Sequence, residues 1–300
     1  MHTGLIRSLL VVAVSMAPIG AQERFSFFHA STPESVARML TLASLRDDDV
    51  VVDLGSGDGL IPRTAARLNG KLRGWGVDID PALVEESNRL AASEGVAGRV
   101  HFYHRNAFDA DLREATVVTM WLFPELMQLL RPIILERARP GTRVLTATWG
   151  LGSWQPDEVS KEDSTVQMRI VPARVGGAWE WDLRIGGRRI GYSAVLEQRF
   201  QVAEGVARAG DRREVLQDVT LRGVDLRFGL EITIDGAGLT RHLFSGQVQG
   251  DRIEGTVRVI PAAGSEVAMP WRAERTSNSG YFAHTGTALF QRPAVVDQAP

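Results

Sequence analysis

The feature that most constrains this chain is a short apolar segment that ends in a glycine-rich turn. Residues 50–59 read VVVDLGSGDG, and a helical pattern begins at Leu60. A buried strand that passes through glycines into a helix is typical of nucleotide-binding α/β domains. The glycines allow a tight turn, and the first N–H groups of the helix remain open to a ligand. The segment therefore predicts a parallel sheet with a ligand site at its carboxyl edge.

Strand and helix patterns alternate through the first half of the chain. A helix is expected to begin at Thr32, which has the residue type of an N-cap and precedes Pro33 and Glu34. The further predicted strands are residues 74–78, 99–103, 116–122 and 143–148, and the predicted helices pass through residues 61–68, 81–92 and 126–133. Alternation at this spacing predicts a parallel sheet with right-handed crossovers, which is an α/β Rossmann-like domain.

The helical patterns stop after residue 157, and the rest of the chain carries short segments that alternate apolar and polar residues. The predicted strands are residues 166–172, 178–185, 192–200, 215–221, 226–234, 242–249, 253–260 and 267–273. Short strands separated by glycine-rich turns predict an all-β antiparallel barrel or sandwich domain. We expect Trp179, Trp181 and Trp271 in its core, and the isolated His242 at the surface or in a loop.

The glycine-rich turn differs from a dinucleotide-binding turn in the position of its third glycine. That glycine is Gly59, and Leu60 occupies the position where the dinucleotide pattern has glycine. Asp53 precedes the turn and can accept a hydrogen bond from a ligand's ammonium group. Asp78, at the next strand end, can accept both hydroxyls of a ribose, and Asn106, after the third strand, can pair with adenine. These groups together predict S-adenosylmethionine as the ligand.

Several segments of the first domain resemble small lysine N-methyltransferases, the bacterial relatives of the enzymes that act on the mitochondrial ATP synthase c-subunit and the adenine nucleotide translocator. The segments are DLGSGDG at 53–59, GVDIDPALV at 76–84, VVTMWLFPELM at 117–127 and RPGTRV at 139–144. The resemblance covers residues 25–157 and implies a class I methyltransferase domain with S-adenosylmethionine as cofactor. The predicted cofactor-binding residues are Asp53, Gly55, Ser56, Gly57, Gly59, Asp78, Ile79 and Asn106.

Two segments depart from the family pattern. Arg105–Asn106 stands where family members have Gly–Asp, and residues 146–150 read TATWG where many bacterial members carry a His–Asp pair and a further acid. We expect cofactor binding to survive the first change. The second change bears on the recognition of the methyl acceptor, because this segment follows the last parallel strand.

The acceptor implied by the resemblance is a protein lysine or another amine, with a substrate channel near Thr32, Trp121, Pro124 and Glu125. An amine attacks only in its neutral form, so a carboxylate near the site helps to orient it and to take its proton. The candidate catalytic residues are Glu125 as this carboxylate and Trp121 as a wall. The alternatives are a stabilising acid in the first turn of a helix for Glu125 and a core aromatic for Trp121.

Composition and histidine spacing argue against a metal site and against a nucleic-acid partner. The chain has no cysteine, and His101 and His104 lie three apart on a predicted strand, so that they point to opposite faces. The formal net charge is −2, which favours no polyanion.

The first domain is expected to span residues 22–172 and the β-domain residues 173–292, with a disordered tail at 293–300. An alternative assigns segments 166–172 and 178–185 to the end of the methyltransferase sheet, and the barrel would then begin near Gly186.

The N-terminus has the pattern of a secretory signal peptide at residues 1–21. A basic start precedes an apolar run at residues 8–20 that is too short for a stable membrane span, and cleavage is expected after Ala21. The prediction is a periplasmic or secreted protein without a membrane span after signal removal, or a cytoplasmic one if the N-terminus is retained. Export leaves a second hypothesis open, namely a non-catalytic nucleoside-binding protein whose β-barrel binds a ligand or partner.

Overall fold

The computed structural model describes residues 31–279. The predicted signal peptide, the predicted tail and the last residues of the predicted β-domain lie outside this range. None of the helices in the range has the length and apolar content that a membrane crossing needs.

The first sheet contains the glycine-rich turn and has seven strands. In chain order its elements are α1 (Pro33–Ala43), β1 (Val50–Leu54), α2 (Leu60–Leu68), β2 (Arg73–Asp78), α3 (Pro81–Ser93), β3 (Val100–His104), a 3-10 turn (Ala107–Asp109), β4 (Val117–Met120), α4 (Pro124–Arg137), β5 (Arg143–Thr146), β6 (Glu158–Val159) and β7 (Gln167–Ile170). The strand order is β3-β2-β1-β4-β5-β7-β6. Strands β1 to β5 are parallel, and β7 runs antiparallel to β5 and β6. The predicted Rossmann-like methyltransferase fold is confirmed.

The direction of winding reverses between β1 and β4, which are hydrogen-bonded neighbours. In open α/β sheets, ligands bind outside the carboxyl ends of the strands at such a switch point. The turn after β1 therefore lies at the place where this architecture forms its site.

Helix α1 covers the sheet beside this edge. Thr32 caps it, because its hydroxyl oxygen accepts a hydrogen bond of 3.3 Å from the amide of Ser35. At its other end, the guanidinium of Arg143 on β5 donates to the carbonyl of Ala43 and to the buried carboxylate of Asp49. A buried charge is tolerated when it is paired in this way, and the pair fixes the end of the helix against the sheet.

The second sheet is antiparallel throughout. Its strands are β8 (Gly177–Ile185), β9 (Arg188–Arg199), β10 (Val202–Ala209), β11 (Arg212–Val215), β12 (Gln217–Arg222), β13 (Asp225–Ile234), β14 (Gly238–Gln249), β15 (Arg252–Pro261) and β16 (Val267–Ser277). The order is β11-β10-β9-β8-β16-β15-β14-β13-β12. Its two edges approach each other, since the amide of Leu216 donates to Gly205 O at 2.9 Å and Arg212 donates to Thr233 O at 2.8 Å. The sheet is therefore nearly barrel-shaped, as predicted; we call it the barrel sheet.

Large aromatic side chains fill the inside of the barrel sheet. Trp179, Trp181 and Trp271 are all buried there, which confirms the predicted core positions. The expectation for His242 is wrong. Its ring is completely buried, and Nε2 lies 2.9 Å from the hydroxyl of Tyr192. Burial lowers the pKa of His242 and raises that of Tyr192, so both groups are neutral.

The chain passes from the first sheet to the barrel sheet between β7 and β8. Segment 166–172 contributes β7 to the first sheet, beside a short strand, β6, that the sequence did not indicate. The alternative that segment 178–185 also ends the first sheet is wrong, because β8 pairs with β9 and β16. Strands β10 and β11 were also not predicted. Strand β10 alternates small residues with Val, Glu and Arg, and β11 reads Arg-Arg-Glu-Val, so both carry a weak apolar signal.

Candidate functional site

Hydrogen bonds to the end of β2 hold the glycine-rich turn in place. The amides of Gly55 and Ser56 both donate to Val77 O at 2.9 Å. The amide of Gly57 donates to the carboxylate of Asp78 at 2.9 Å. The structure therefore brings together the predicted cofactor-binding residues that follow the first two strands.

Two of the three glycines are required by the packing of the protein itself. Gly55 and Gly59 have positive φ angles of 78° and 77°, which favour glycine. A Cβ at Gly55 would collide with Leu122, and one at Gly59 would collide with Phe102. Gly57, with φ of 53°, contributes its N–H to the bond with Asp78. The spacing G-x-G-x-G thus reflects the approach of two apolar side chains as well as the turn.

Asp53 is a buried carboxyl group near the end of β1. It is 2% exposed, and it accepts a hydrogen bond of 2.7 Å from the hydroxyl of Thr119 on β4. Burial raises its pKa to about 7; Thr119 lowers the pKa, and the charges of Asp78 and Asp58 raise it further. No Lys or Arg among residues 31–279 forms an ion pair with it. A ligand ammonium group would supply the missing positive charge.

Asp78 is half-buried at the end of β2 and faces the turn. Its carboxylate accepts from Gly57 and from the amide of Asp80, each at 2.9 Å. A carboxylate has about four lone-pair sites, so two remain for ribose hydroxyls. Ile79 follows at the same edge, and its carbonyl oxygen lies 3.1 Å from Nε2 of His104.

Asn106 and Ser56 lie at different depths in the site. Asn106 is exposed after β3, and its Oδ1 accepts from the amide of Phe108 at 3.0 Å, which caps the 3-10 turn. Ser56 is 6% exposed, with its side chain packed against Gly76 on β2. Its Oγ has no hydrogen-bond partner in the part of the chain that the structure describes. Ser56 therefore presents its backbone to the turn, and Asn106 presents its amide to solvent.

The residues predicted for the acceptor follow β4. Trp121 is half-buried and packs against the core shared by α1 and the sheet, and Leu122 packs on Gly55. Phe123 is 46% exposed, and Glu125 is exposed in the first turn of α4. The structure thus places Trp121 at the margin of the core beneath α1 and leaves the carboxylate of Glu125 in solvent. Both residues lie on the same edge as the turn, beyond the neighbouring strand.

The neighbouring β5 ends in a tight turn that the sequence did not predict. The amide of Trp149 donates to Ala147 O at 2.8 Å, and Thr148 between them has φ of 67°. This is a γ-turn of the positive-φ type, which is rare and strained, above all at a β-branched residue. It shortens the predicted strand 143–148 and leaves the indole of Trp149 49% exposed. The only sequence signal for Trp149 was its place in a segment that departs from the family pattern.

Comparisons with known proteins assign the first sheet to a family. A model of the ANTKMT methyltransferase domain matches residues 53–158. A protein-lysine N-methyltransferase of Saccharolobus islandicus is 39% identical over 144 residues, which span 47% of this chain and 89% of that relative. The chain belongs to the ANTKMT methyltransferase family. It is an S-adenosylmethionine-dependent methyltransferase, as the resemblance implied.

Two further proteins are similar to parts of this methyltransferase. The adenine nucleotide translocase lysine N-methyltransferase of Mus musculus is 32% identical over 37% of this chain, and the match spans 48% of that relative. A crystal structure of an RNA methyltransferase from Salinibacter ruber with S-adenosyl-L-homocysteine is 43% identical. The structural alignment covers 49% of this chain and 96% of the Salinibacter ruber chain, with a TM-score of 0.47.

The residues of the site fit the cofactor of the methyltransferase. S-adenosylmethionine carries an ammonium group, a ribose and an adenine, and it supplies an electrophilic methyl group on a sulfonium sulfur. Asp53 offers a buried negative charge for the ammonium, and Asp78 offers free lone pairs for the ribose. Within residues 31–279 no cluster of His, Asp and Glu could hold a metal ion.

Proposed function

We propose that this methyltransferase transfers a methyl group to the ε-amino group of a protein lysine. The observation that carries the proposal is the similarity to a protein-lysine N-methyltransferase over 89% of that relative. Two exposed aromatic residues at the carboxyl edge of the first sheet support the proposal. Phe123 and Trp149 follow two adjacent parallel strands, and each is about half exposed. Aromatic faces attract the ammonium and methylammonium groups of lysine side chains.

The protein contributes position and proton transfer to this reaction. When bound, S-adenosylmethionine would supply the methyl group and keep the sulfur electron pair on its leaving thioether. The acceptor amine needs a free lone pair to accept that methyl group, so it must first lose a proton. Glu125, exposed on the first turn of α4, is our proposed proton acceptor. Trp121, half-buried after the end of β4, would exclude water from one side of the acceptor.

The test is a methylation assay with the purified full chain and S-adenosylmethionine. Poly-L-lysine and a panel of denatured proteins serve as acceptors, with their acetylated forms as matched controls, and mass spectrometry locates the methyl group. We expect methyl-lysine only in the unacetylated acceptors. Free L-lysine serves as a small-amine acceptor, and methylation of free L-lysine alone would make a small amine the substrate. Cofactor binding without transfer to any amine would overturn the proposal and favour a binding protein.

We also propose that the protein is exported before it acts. The support is the basic start and apolar run within residues 1–21, with small residues at the expected cleavage point. N-terminal sequencing of the protein purified from its native cell tests this, because cleavage would give a chain that begins at Gln22. An intact Met1 would place the methyltransferase in the cytoplasm.

A further inference from the structure

One side chain of the barrel sheet packs into the core of the first sheet. Phe200 lies at the tip of the hairpin that joins β9 to β10, and its φ is 56°. The left-handed region is unfavourable for an aromatic residue, so tertiary contacts must hold it there. Those contacts come from the methyltransferase core, against which the ring packs.

The ring of Phe200 contacts two residues that hold the same loop. It stacks on Trp154 with centroids 6.0 Å apart and 17° between the planes. The guanidinium of Arg131, from α4, lies 5.5 Å from the centroid of the same ring. Arg131 also donates to Leu151 O at 2.9 Å, and Leu151 pairs with Trp154 in a short bridge. The stacking on Trp154 and the hydrogen bond from Arg131 to Leu151 O therefore both hold residues 147–154, which we call the acceptor loop.

Buried polar contacts continue from Trp154 to the edge of the sheet. Trp154 O accepts a hydrogen bond of 2.6 Å from Arg169 on β7, whose guanidinium also donates to Gln167 at 2.8 Å and to Thr146 at 3.4 Å. Arg169 is 2% exposed, and burial lowers its pKa to about 10. The backbone of Gly150 approaches these two side chains so closely that a Cβ there would lie 3.1 Å from Gln167.

The acceptor loop contains the second strained residue of this contact path. Thr148 forms the γ-turn that exposes Trp149 beside the end of β4. Strained conformations persist where surrounding contacts over-determine them, and they cluster at functional sites. Phe200 and Thr148 lie at the two ends of one continuous path of contacts through Trp154 and Arg169.

We propose that the barrel sheet positions the acceptor loop of the methyltransferase through Phe200. The stacked pair of Phe200 and Trp154 fixes the loop, and the loop fixes Trp149 where the acceptor amine docks. The part that concerns the acceptor rests on the proposed lysine methylation. The part that concerns the loop does not. Phe200 is thus a positioning residue, and Trp149 is the residue that contacts the acceptor.

The first test measures amide hydrogen exchange and needs no acceptor. Phe200→Leu removes the stacking ring and retains an apolar side chain, Phe200→Tyr retains the ring, and Val202→Ala changes a 66% exposed residue of the same hairpin. We expect exchange within residues 147–154 to rise about tenfold in Phe200→Leu, with wild-type values in the other two variants. Unchanged exchange in a folded Phe200→Leu protein would overturn the proposal.

The second test separates KM from kcat with poly-L-lysine as the acceptor. Phe200→Leu and Trp149→Ala should each raise KM for poly-L-lysine about tenfold and leave the Kd for S-adenosylmethionine unchanged within about twofold. Phe200→Tyr should restore the wild-type KM. Equal loss of cofactor affinity and acceptor affinity would indicate a structural role only and would overturn the proposal. If wild type transfers no methyl group but the exchange result holds, the proposed function fails and the positioning of the loop stands.

Discussion

The hydroxyl of Thr119 on β4 donates a hydrogen bond of 2.7 Å to the carboxylate of Asp53 on β1. Both side chains are buried at the carboxyl edge of the sheet. Burial and the neighbouring carboxylates Asp78 and Asp58 raise the pKa of Asp53 to about 7, against the effect of Thr119. The charge state of the site therefore changes near neutral pH, on the residue that we predict to face the cofactor's ammonium group.

Binding of S-adenosylmethionine should weaken as the pH falls below about 7. The ammonium favours the ionised carboxylate, and below this pH Asp53 in the free protein must release a proton before binding. The Kd should then rise by about tenfold per pH unit. Calorimetry in buffers of different ionisation enthalpy measures both the Kd and the proton release.

Two variants test whether Asp53 causes the pH dependence of the Kd for S-adenosylmethionine. Asp53→Asn should bind more weakly at neutral pH and lose the dependence near pH 7. Thr119→Val removes the hydrogen bond that favours the ionised form, so its transition should move to higher pH. Identical profiles in wild type and both variants would show that another group is responsible.

Replacement of Asp78 by alanine should abolish most of the affinity for the cofactor. The variant loses the acceptors for the ribose and the bond that holds the amide of Gly57, and hydrogen bonds to charged groups contribute about 1.5–3 kcal/mol each. The Kd should rise at least about a hundredfold. Asp111→Ala, which changes an exposed acid that forms an ion pair with its neighbour Arg113, is the matched control, and an equal effect there would contradict the assignment.

Gly59→Ala should destabilise the protein by about 1–3 kcal/mol through backbone strain at its φ of 77°. The collision with Phe102 adds to this cost. Gly70→Ala is the control, because no atom lies within 4 Å of its Cβ position. Thermal unfolding measures both variants. The prediction fails if Gly59→Ala unfolds at the same temperature as Gly70→Ala.

Tyr192→Phe should destabilise the barrel sheet by about 1–3 kcal/mol, because it removes the hydroxyl that lies 2.9 Å from Nε2 of buried His242. Cofactor affinity should stay at the wild-type value. His242 has a lowered pKa in the folded state, so its contribution is present above its unfolded pKa and is lost as the pH falls. Chemical denaturation at several pH values measures this, and a more stable Tyr192→Phe protein would contradict it.

Local patterns predicted the elements of the first sheet closely. The N-cap at Thr32, the strand 50–54 and the glycine turn depend on neighbours within a few residues, and each formed where the pattern placed it. The buried strand β1 has apolar residues on both faces, so its signal was strong. The predicted strand 143–148 was too long, because its end is set by the γ-turn at Thr148.

The barrel sheet was predicted as a class but not strand by strand. Strand β10 alternates small residues such as Ala203 and Ala207 with charged ones, and such a pattern resembles a loop until a neighbouring strand pairs with it. His242 occupies an inward position in the alternating pattern of β14. Because its side chain is polar, the sequence pattern indicated an exposed residue. Its burial is favourable because Leu230 O lies 3.2 Å from Nδ1 and the hydroxyl of Tyr192, fifty residues away in sequence, lies 2.9 Å from Nε2.

The sequence by itself determined the fold class, the cofactor and the order of the groups along the glycine turn, because these depend on short-range periodicity and spacing. Tertiary structure alone decided that burial raises the pKa of Asp53, that Trp149 is exposed, and that Phe200 stacks on Trp154. The burial of Asp53 and the stacking of Phe200 both depend on segments that are distant in the chain. No local pattern specifies such contacts, because their free energy arises only when the sheets have folded and excluded water from between them.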